Sequence, residues 1–174
     1  MKMPDALETV EVLPQHRFNE ARLKAYLARE LPAFGDFEVR QFQGGHSNPT
    51  FALIAGDEQL VLRKKPPGQL LRGAHQIERE FRVMSALAGT DVPVPQMHLL
   101  CEDDDVIGTA FFVMAFVPGR VSPEPHMPNL AKTSRTALWL EMADVLARLH
   151  SVDWRGVGLD GFGKPEGYAA RQLK

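Results

Sequence analysis

One cysteine, Cys101, is all that the 174 residues contain, which excludes an internal disulfide and any metal site built on thiolates. It falls in the strand-like run Met97-His98-Leu99-Leu100-Cys101, where a buried, inert thiol is the plain reading. Long apolar runs are also missing. The longest, Ala110 to Val117, is too short to span a bilayer, and the N-terminus has no apolar core of the signal-peptide kind. Excess charge of either sign is scarce. A formal net charge of −2 gives no global field to draw in nucleic acid or an anionic membrane. These absences predict a cytoplasmic protein that partners neither nucleic acid nor membrane. What is present, 44% hydrophobic and 24% charged residues, is the composition of an ordinary soluble protein. The length suits one good-sized domain or two small lobes.

The rest is organised around Leu60-Val61-Leu62-Arg63-Lys64-Lys65-Pro66-Pro67-Gly68. An apolar strand that ends in three cations before a Pro-Pro break puts positive charge beside a sheet, where an anion should sit. Before it lies a glycine-bearing turn, Gln43-Gly44-Gly45-His46-Ser47-Asn48-Pro49-Thr50. After it comes a helix that opens with carboxylates, Ile77-Glu78-Arg79-Glu80-Phe81. Glycine loop, cationic strand and acidic helix, in that order, make the front half of a kinase-like nucleotide site.

Taken in order, Met1 to Phe18 show no helical period and read as a surface arm. Asn19 is a plausible N-cap for an amphipathic helix with Leu23, Tyr26, Leu27 and Leu31 on one stripe, stopped by Pro32. Phe37–Phe42, Thr50–Ala55 and Gln59–Lys64 read as an antiparallel meander, with a turn at Gly56-Asp57. A second helix, Ala74 to Ala88, buries Ile77, Phe81, Met84, Leu87 and Ala88. At about 100° per residue Glu80 falls inside that stripe, while Glu78, Arg79 and Arg82 fall outside. A carboxylate there costs several kcal/mol unless a cation meets it, and the strand end upstream supplies one. The competing reading leaves Glu80 at the stripe margin, reaching solvent.

Val92-Pro93-Val94-Pro95 is a stiff extended link. Met97–Cys101 and Thr109–Val117 add two strands, joined across Glu102-Asp103-Asp104-Asp105. That acidic run lacks the glycine and ligand spacing of a calcium loop and reads as a solvated hairpin tip. The expected fold class is therefore α+β: a five-stranded antiparallel sheet plus a helix, spanning residues 1–117 with the arm and first helix. A proline-rich hinge and linker, 118–133, follows. Ser134 to His150 is apolar almost all round (Ala137, Leu138, Trp139, Leu140, Met142, Val145, Leu146, Leu149) and belongs in the middle of a helical domain. Only a short glycine-rich stretch comes after it, so 134–174 reads as an incomplete helical C-lobe.

Five motifs in order, Gly44-Gly45-His46-Ser47-Asn48-Pro49-Thr50, Val61 to Gly68, Glu78-Arg79-Glu80-Phe81-Arg82-Val83, Val92-Pro93-Val94-Pro95 and Leu146-Ala147-Arg148-Leu149-His150, resemble the aminoglycoside phosphotransferase and choline kinase-like family. The branch most similar is the kinase-like domain found alone in bacteria or fused ahead of acyl-CoA dehydrogenase modules. The resemblance implies a protein-kinase-like fold, with ATP between two lobes and a hydroxyl phosphorylated with magnesium. Carried over, Gly44, Gly45, Ser47 and Asn48 would lie over the phosphates, where glycine lets backbone N–H groups approach. Arg63, with Lys64 in reserve, would meet the phosphates and Glu80 would pair with that cation. Strand alternation puts Val61 and Arg63 on one face and Leu62 and Lys64 on the other. Met114 and Val61 would pack on adenine, read by backbone groups of Ala115 and Val117. His150 is read as a structural histidine at a helix C-terminus.

The family's His-Gly-Asp loop, its magnesium-holding asparagine and its later aspartate have no counterpart among these residues. No catalytic or metal-binding residue is therefore assigned, and the chain is expected to be inactive alone, as the nucleotide-binding half of a longer protein. Magnesium and a small-molecule hydroxyl acceptor would belong to the complete protein. The rival expectation is a non-catalytic, pseudokinase-like module that binds a nucleotide or a partner. Hydroxyacyl and aminoglycoside acceptors both stay open. The unfinished C-lobe predicts self-association or disorder of its helix.

Overall fold

A computed structural model of the chain describes residues 9–43, 48–66, 76–122, 124–163 and 166–173. Alternating, β-branched and aromatic residues build six strands: β1 (Thr9–Val10), β2 (Glu38–Phe42), β3 (Thr50–Ala55), β4 (Glu58–Lys64), β5 (Met97–Cys101) and β6 (Phe111–Ala115). They form one sheet in the order β1-β2-β3-β4-β6-β5, with every neighbouring pair antiparallel. The β3–β4 hairpin closes over two residues, and Gly56 takes the φ of +61° that such a loop asks of its first central position. The helices are α1 (Glu20–Glu30), α2 (Ile77–Leu87), the single turn α3 (Asp104–Ile107), α4 (Lys132–His150) and α5 (Tyr168–Gln172).

Register fixes which side chains share a face. Phe51, Leu62 and Val113 stand in line on one side, with Leu53 and Phe111, and pack against Leu23 and Leu27 of α1 and Val106 and Ile107 of α3. Asn19 caps α1, its Oδ1 accepting from Arg22 N at 3.0 Å. On the other side Thr50, Arg63 and Phe112 form one row, and Ala52, Val61 and Met114 the next. There Ile77 of α2 packs with Ala110 and Phe112, with Phe81, Met84 and Met97 at the margin.

One expectation needs correction. The sheet has six strands rather than five, because the arm is tied down: β1 pairs with β2, and buried Gln41 accepts from Leu13 N at 3.1 Å and bonds His16 Nδ1 at 2.8 Å. The acidic run is exposed and joins the antiparallel pair β5 and β6, and the connection also carries the single turn α3. Asp103 caps α3 by accepting from Asp105 N at 2.9 Å, and Gly108 ends it at φ +84°. Val106 and Ile107 bury against α1 while Glu102, Asp103, Asp104 and Asp105 stay exposed. α4 has no buried residue. Leu138, Trp139, Leu140, Met142, Leu146 and Leu149 are all exposed.

Candidate functional site

Three cations in a row leave β4, and the strand's two-residue period sends them to different places. Arg63 points to the α2 side. Its Nε donates to Glu80 Oε2 at 2.8 Å and its Nη1 to Thr50 Oγ1 at 3.1 Å. Asn48, buried at the start of β3, donates from Nδ2 to Glu80 Oε1 at 2.9 Å, and Thr50 Oγ1 donates to Asn48 O at 3.1 Å. The four side chains close a ring that ties β3, β4 and α2 together. Glu80 is engaged through both oxygens, while Arg63 Nη2 has no protein partner among the described residues. The pair sits at the margin of the sheet, with Arg63 30% and Glu80 38% exposed at the side chain, which leaves the remaining guanidinium donors within reach of an anion from solvent.

Lys65, just past the strand, repeats the pattern one step along. Its amide N donates to Ala110 O at 3.3 Å, and its Nζ pairs with Glu78 Oε1. Helical periodicity had put Glu78 outside the buried stripe, and no sequence signal singled out Lys65. The helix's first turn lies over the strand end rather than the sheet centre, so residues off the stripe still reach β4.

Lys64 goes to the opposite face. Its stem is buried, its Nζ lies 5.6 Å from the Phe18 ring centroid, and burial pushes its pKa below the ordinary lysine value. Of the two cations weighed from the sequence, only Arg63 shares a face with Glu80.

Beside the ring lies an apolar patch. Phe42, Ala52 and Val61 pack with Ile54, Met114 and Phe116, and Phe42 stacks on Phe116 at 6.3 Å and 3°. Val61 and Met114 are thus brought together, opposite each other in the β4–β6 register. The amide N of Ala115 donates to Gln96 O at 2.8 Å, so the backbone group it has to offer is its carbonyl. Val117, beyond the strand, is exposed and has no protein hydrogen bond among the described residues. Gly44, Gly45 and Ser47 lie outside the described residues; Asn48 lies inside, with its side chain on Glu80 rather than free to face a ligand.

The arrangement offers an anchored cation beside an apolar platform and a strand end with open backbone groups. Among the described residues no group of three or more His, Cys, Asp or Glu side chains is gathered as a metal ion needs. Nor is any described helix long and apolar enough to cross a membrane.

The profile of the "phosphotransferase enzyme family" matches residues 38–174. The Rattus norvegicus protein "acyl-CoA dehydrogenase family member 11" is 44% identical over 178 residues, covering 99% of this chain and 23% of its own length. "Acyl-CoA dehydrogenase family member 10" of Mus musculus is 49% identical over 140 residues, or 80% of this chain and 13% of its own. A crystal structure from Ralstonia eutropha JMP134, of a protein assigned as an aminoglycoside phosphotransferase, is 44% identical with a TM-score of 0.77, over 90% of this chain and 45% of that one. The chain spans about a quarter or less of these curated relatives and under half of that solved structure.

Proposed function

The chain belongs to the phosphotransferase enzyme family and has a kinase-like fold, and on that premise we propose that it is the nucleotide-binding half of an ATP-dependent phosphotransferase acting on a small-molecule hydroxyl. One observation carries the reading: Arg63, locked to Glu80 at 2.8 Å, stands beside the Val61 and Met114 patch with donors to spare. ATP supplies the phosphoryl group when bound. Arg63 holds the phosphates, its guanidinium forked to oxygen anions and kept in place by Glu80, Asn48 and Thr50. Val61 and Met114 pack on adenine, and the Ala115 carbonyl and the Val117 N–H read its edge.

Residues that would hold magnesium or orient the acceptor hydroxyl are not among these. A second reading, in which the 174 residues bind nucleotide or a partner without transferring anything, uses the same Arg63 site. The gene separates the two: a reading frame that continues past Lys174 into a His-Gly-Asp loop supports the transferase, and a stop codon there supports the module.

Calorimetric titration of the chain with ATP tests the reading common to both. Arg63→Glu should weaken binding about a hundredfold, the worth of two or so charge-assisted hydrogen bonds, with circular dichroism unchanged. Unaltered affinity in that variant would refute the assignment of Arg63.

A further inference from the structure

Two arginines of α2 take no part in the Arg63 ring. Arg79 and Arg82, one turn apart, both meet residues 153–162, far along the chain. The Arg79 guanidinium carbon lies 3.7 Å from the Phe162 ring centroid and that of Arg82 lies 5.7 Å from it. Arg82 Nη2 also donates to the main-chain carbonyls of Gly158, at 3.1 Å, and Asp160, at 3.2 Å. One ring and two carbonyls are thus presented together to α2.

They can be, because this stretch is folded on itself. Val157 N donates to Asp153 O, Leu159 N to Trp154 O and Phe162 N to Leu159 O, at 2.9–3.0 Å. Gly158 and Gly161 take φ values of +79° and +70°, which a side chain would resist. Between Phe162 and the helix lies an open cavity of about 420 Å³ lined by Arg79, Glu80, Val83, Met84 and Phe162. Glu80, whose carboxylate meets Arg63, borders the same space as the ring.

The helix needs such a contact. Of the 11 residues of α2 only Ile77 and Leu87 are buried, and Gln76 at its N-cap makes no side-chain capping bond. Its first turn is tied to the strand end through Glu78 and Glu80, but beyond that turn Phe81 and Met84 pack only at the margin of the core, and a displacement of about 1 Å stretches a 2.8 Å hydrogen bond past useful length. We infer that residues 153–162 are a strap that holds α2 at the rotation and depth where Glu80 reaches Arg63, with Phe162 and Arg82 as positioning residues for the nucleotide site. The link to nucleotide rests on the reading of Arg63 given above; the link to α2 does not.

Two readouts on the full chain keep these apart: amide hydrogen exchange across 77–87, and ATP affinity. Phe162→Ala should speed exchange in α2 and weaken ATP, each roughly fivefold, the scale of an exposed cation–π contact. Exchange in α1 should not change, and Phe162→Tyr should restore both. Arg82→Ala, at an exposed site where folding is not at risk, should act in the same direction. Unchanged α2 exchange in both Phe162→Ala and Arg82→Ala overturns the strap, and faster α2 exchange with ATP affinity unchanged overturns the assignment of Phe162 and Arg82 as positioning residues for the nucleotide site. If the wild-type chain binds no ATP while both variants still loosen α2, the strap stands and the nucleotide reading falls.

Discussion

Arg63, Lys64 and Lys65 show how far three identical charges can diverge when backbone geometry distributes them. Two meet carboxylates on α2, and the third is pressed under Phe18 with no acidic partner among the described residues. Burial lowers the pKa of Lys64, so the unfolded chain binds a proton more readily than the folded one between the depressed value and the ordinary one. Stability therefore rises with pH across that interval, and below it the folded state carries the whole cost. Lys64→Met should stabilise the protein at pH 7 by about 1 kcal/mol, net of a cation–π contact worth roughly 0.5–1 kcal/mol. The gain should fade as pH approaches the usual lysine pKa. Urea midpoints at pH 7 and pH 10 check this, and a less stable Met variant at pH 7 would contradict it. The same residues show what a sequence can say about a site. Alternation separated Arg63 from Lys64, and the helical wheel flagged Glu80, but neither says which face of the sheet the helix covers. Only the register linking Thr50, Arg63 and Phe112 under α2 does. Lys65 with Glu78, and the turn of Asn48 toward Glu80, depend on where the first turn of α2 comes to rest, and that is tertiary information.

Elements, rather than residues, carry most of what periodicity reveals. β2 to β6 and α1 fall within a few residues of where alternation and the Asn19 cap put them, because each is long enough to repeat its pattern. β1, two residues long, repeats nothing. Its pairing is secured from the far side by Gln41, a buried polar side chain on a strand whose partners lie 25 and 28 residues away. Gln41→Leu should therefore release the arm and spare the lobe. Leu13 is exposed enough for water to take over its N–H, so the loss falls on the local equilibrium. Amides of 9–16 should exchange about ten- to a hundredfold faster, corresponding to one or two hydrogen bonds, while those of β3 and β4 keep their protection. Equal protection of the arm in both proteins would show that strand pairing alone holds it. α3 was missed for a related reason. Asp103 as a cap and Gly108 as a stop are both readable, but one turn of helix has no period, and the burial of Val106 and Ile107 depends on α1 being there to pack on.

At the scale of the whole molecule the two ends of the chain differ in how much they bury. The sheet with α1 to α3 encloses Phe51 and Phe111 on one face and Phe112 on the other, whereas α4 displays Leu138, Trp139, Leu140, Met142, Leu146 and Leu149 to solvent. Each of these side chains would gain about 1.5–3 kcal/mol from full burial, and a contiguous apolar surface of that kind rarely persists on a soluble monomer. For the 174 residues by themselves, we propose a second copy as the occupant, since the same exposed face on each protomer is self-complementary under two-fold symmetry. Sedimentation velocity should then show a mass that rises with protein concentration. Trp139→Glu combined with Leu146→Lys should return the protein to a monomer without lowering the melting transition of the sheet, because neither side chain reaches that core. A monodisperse monomer at every concentration, with α4 amides protected from exchange, would mean that the helix is covered from within the chain and that its apolar face needs no second copy.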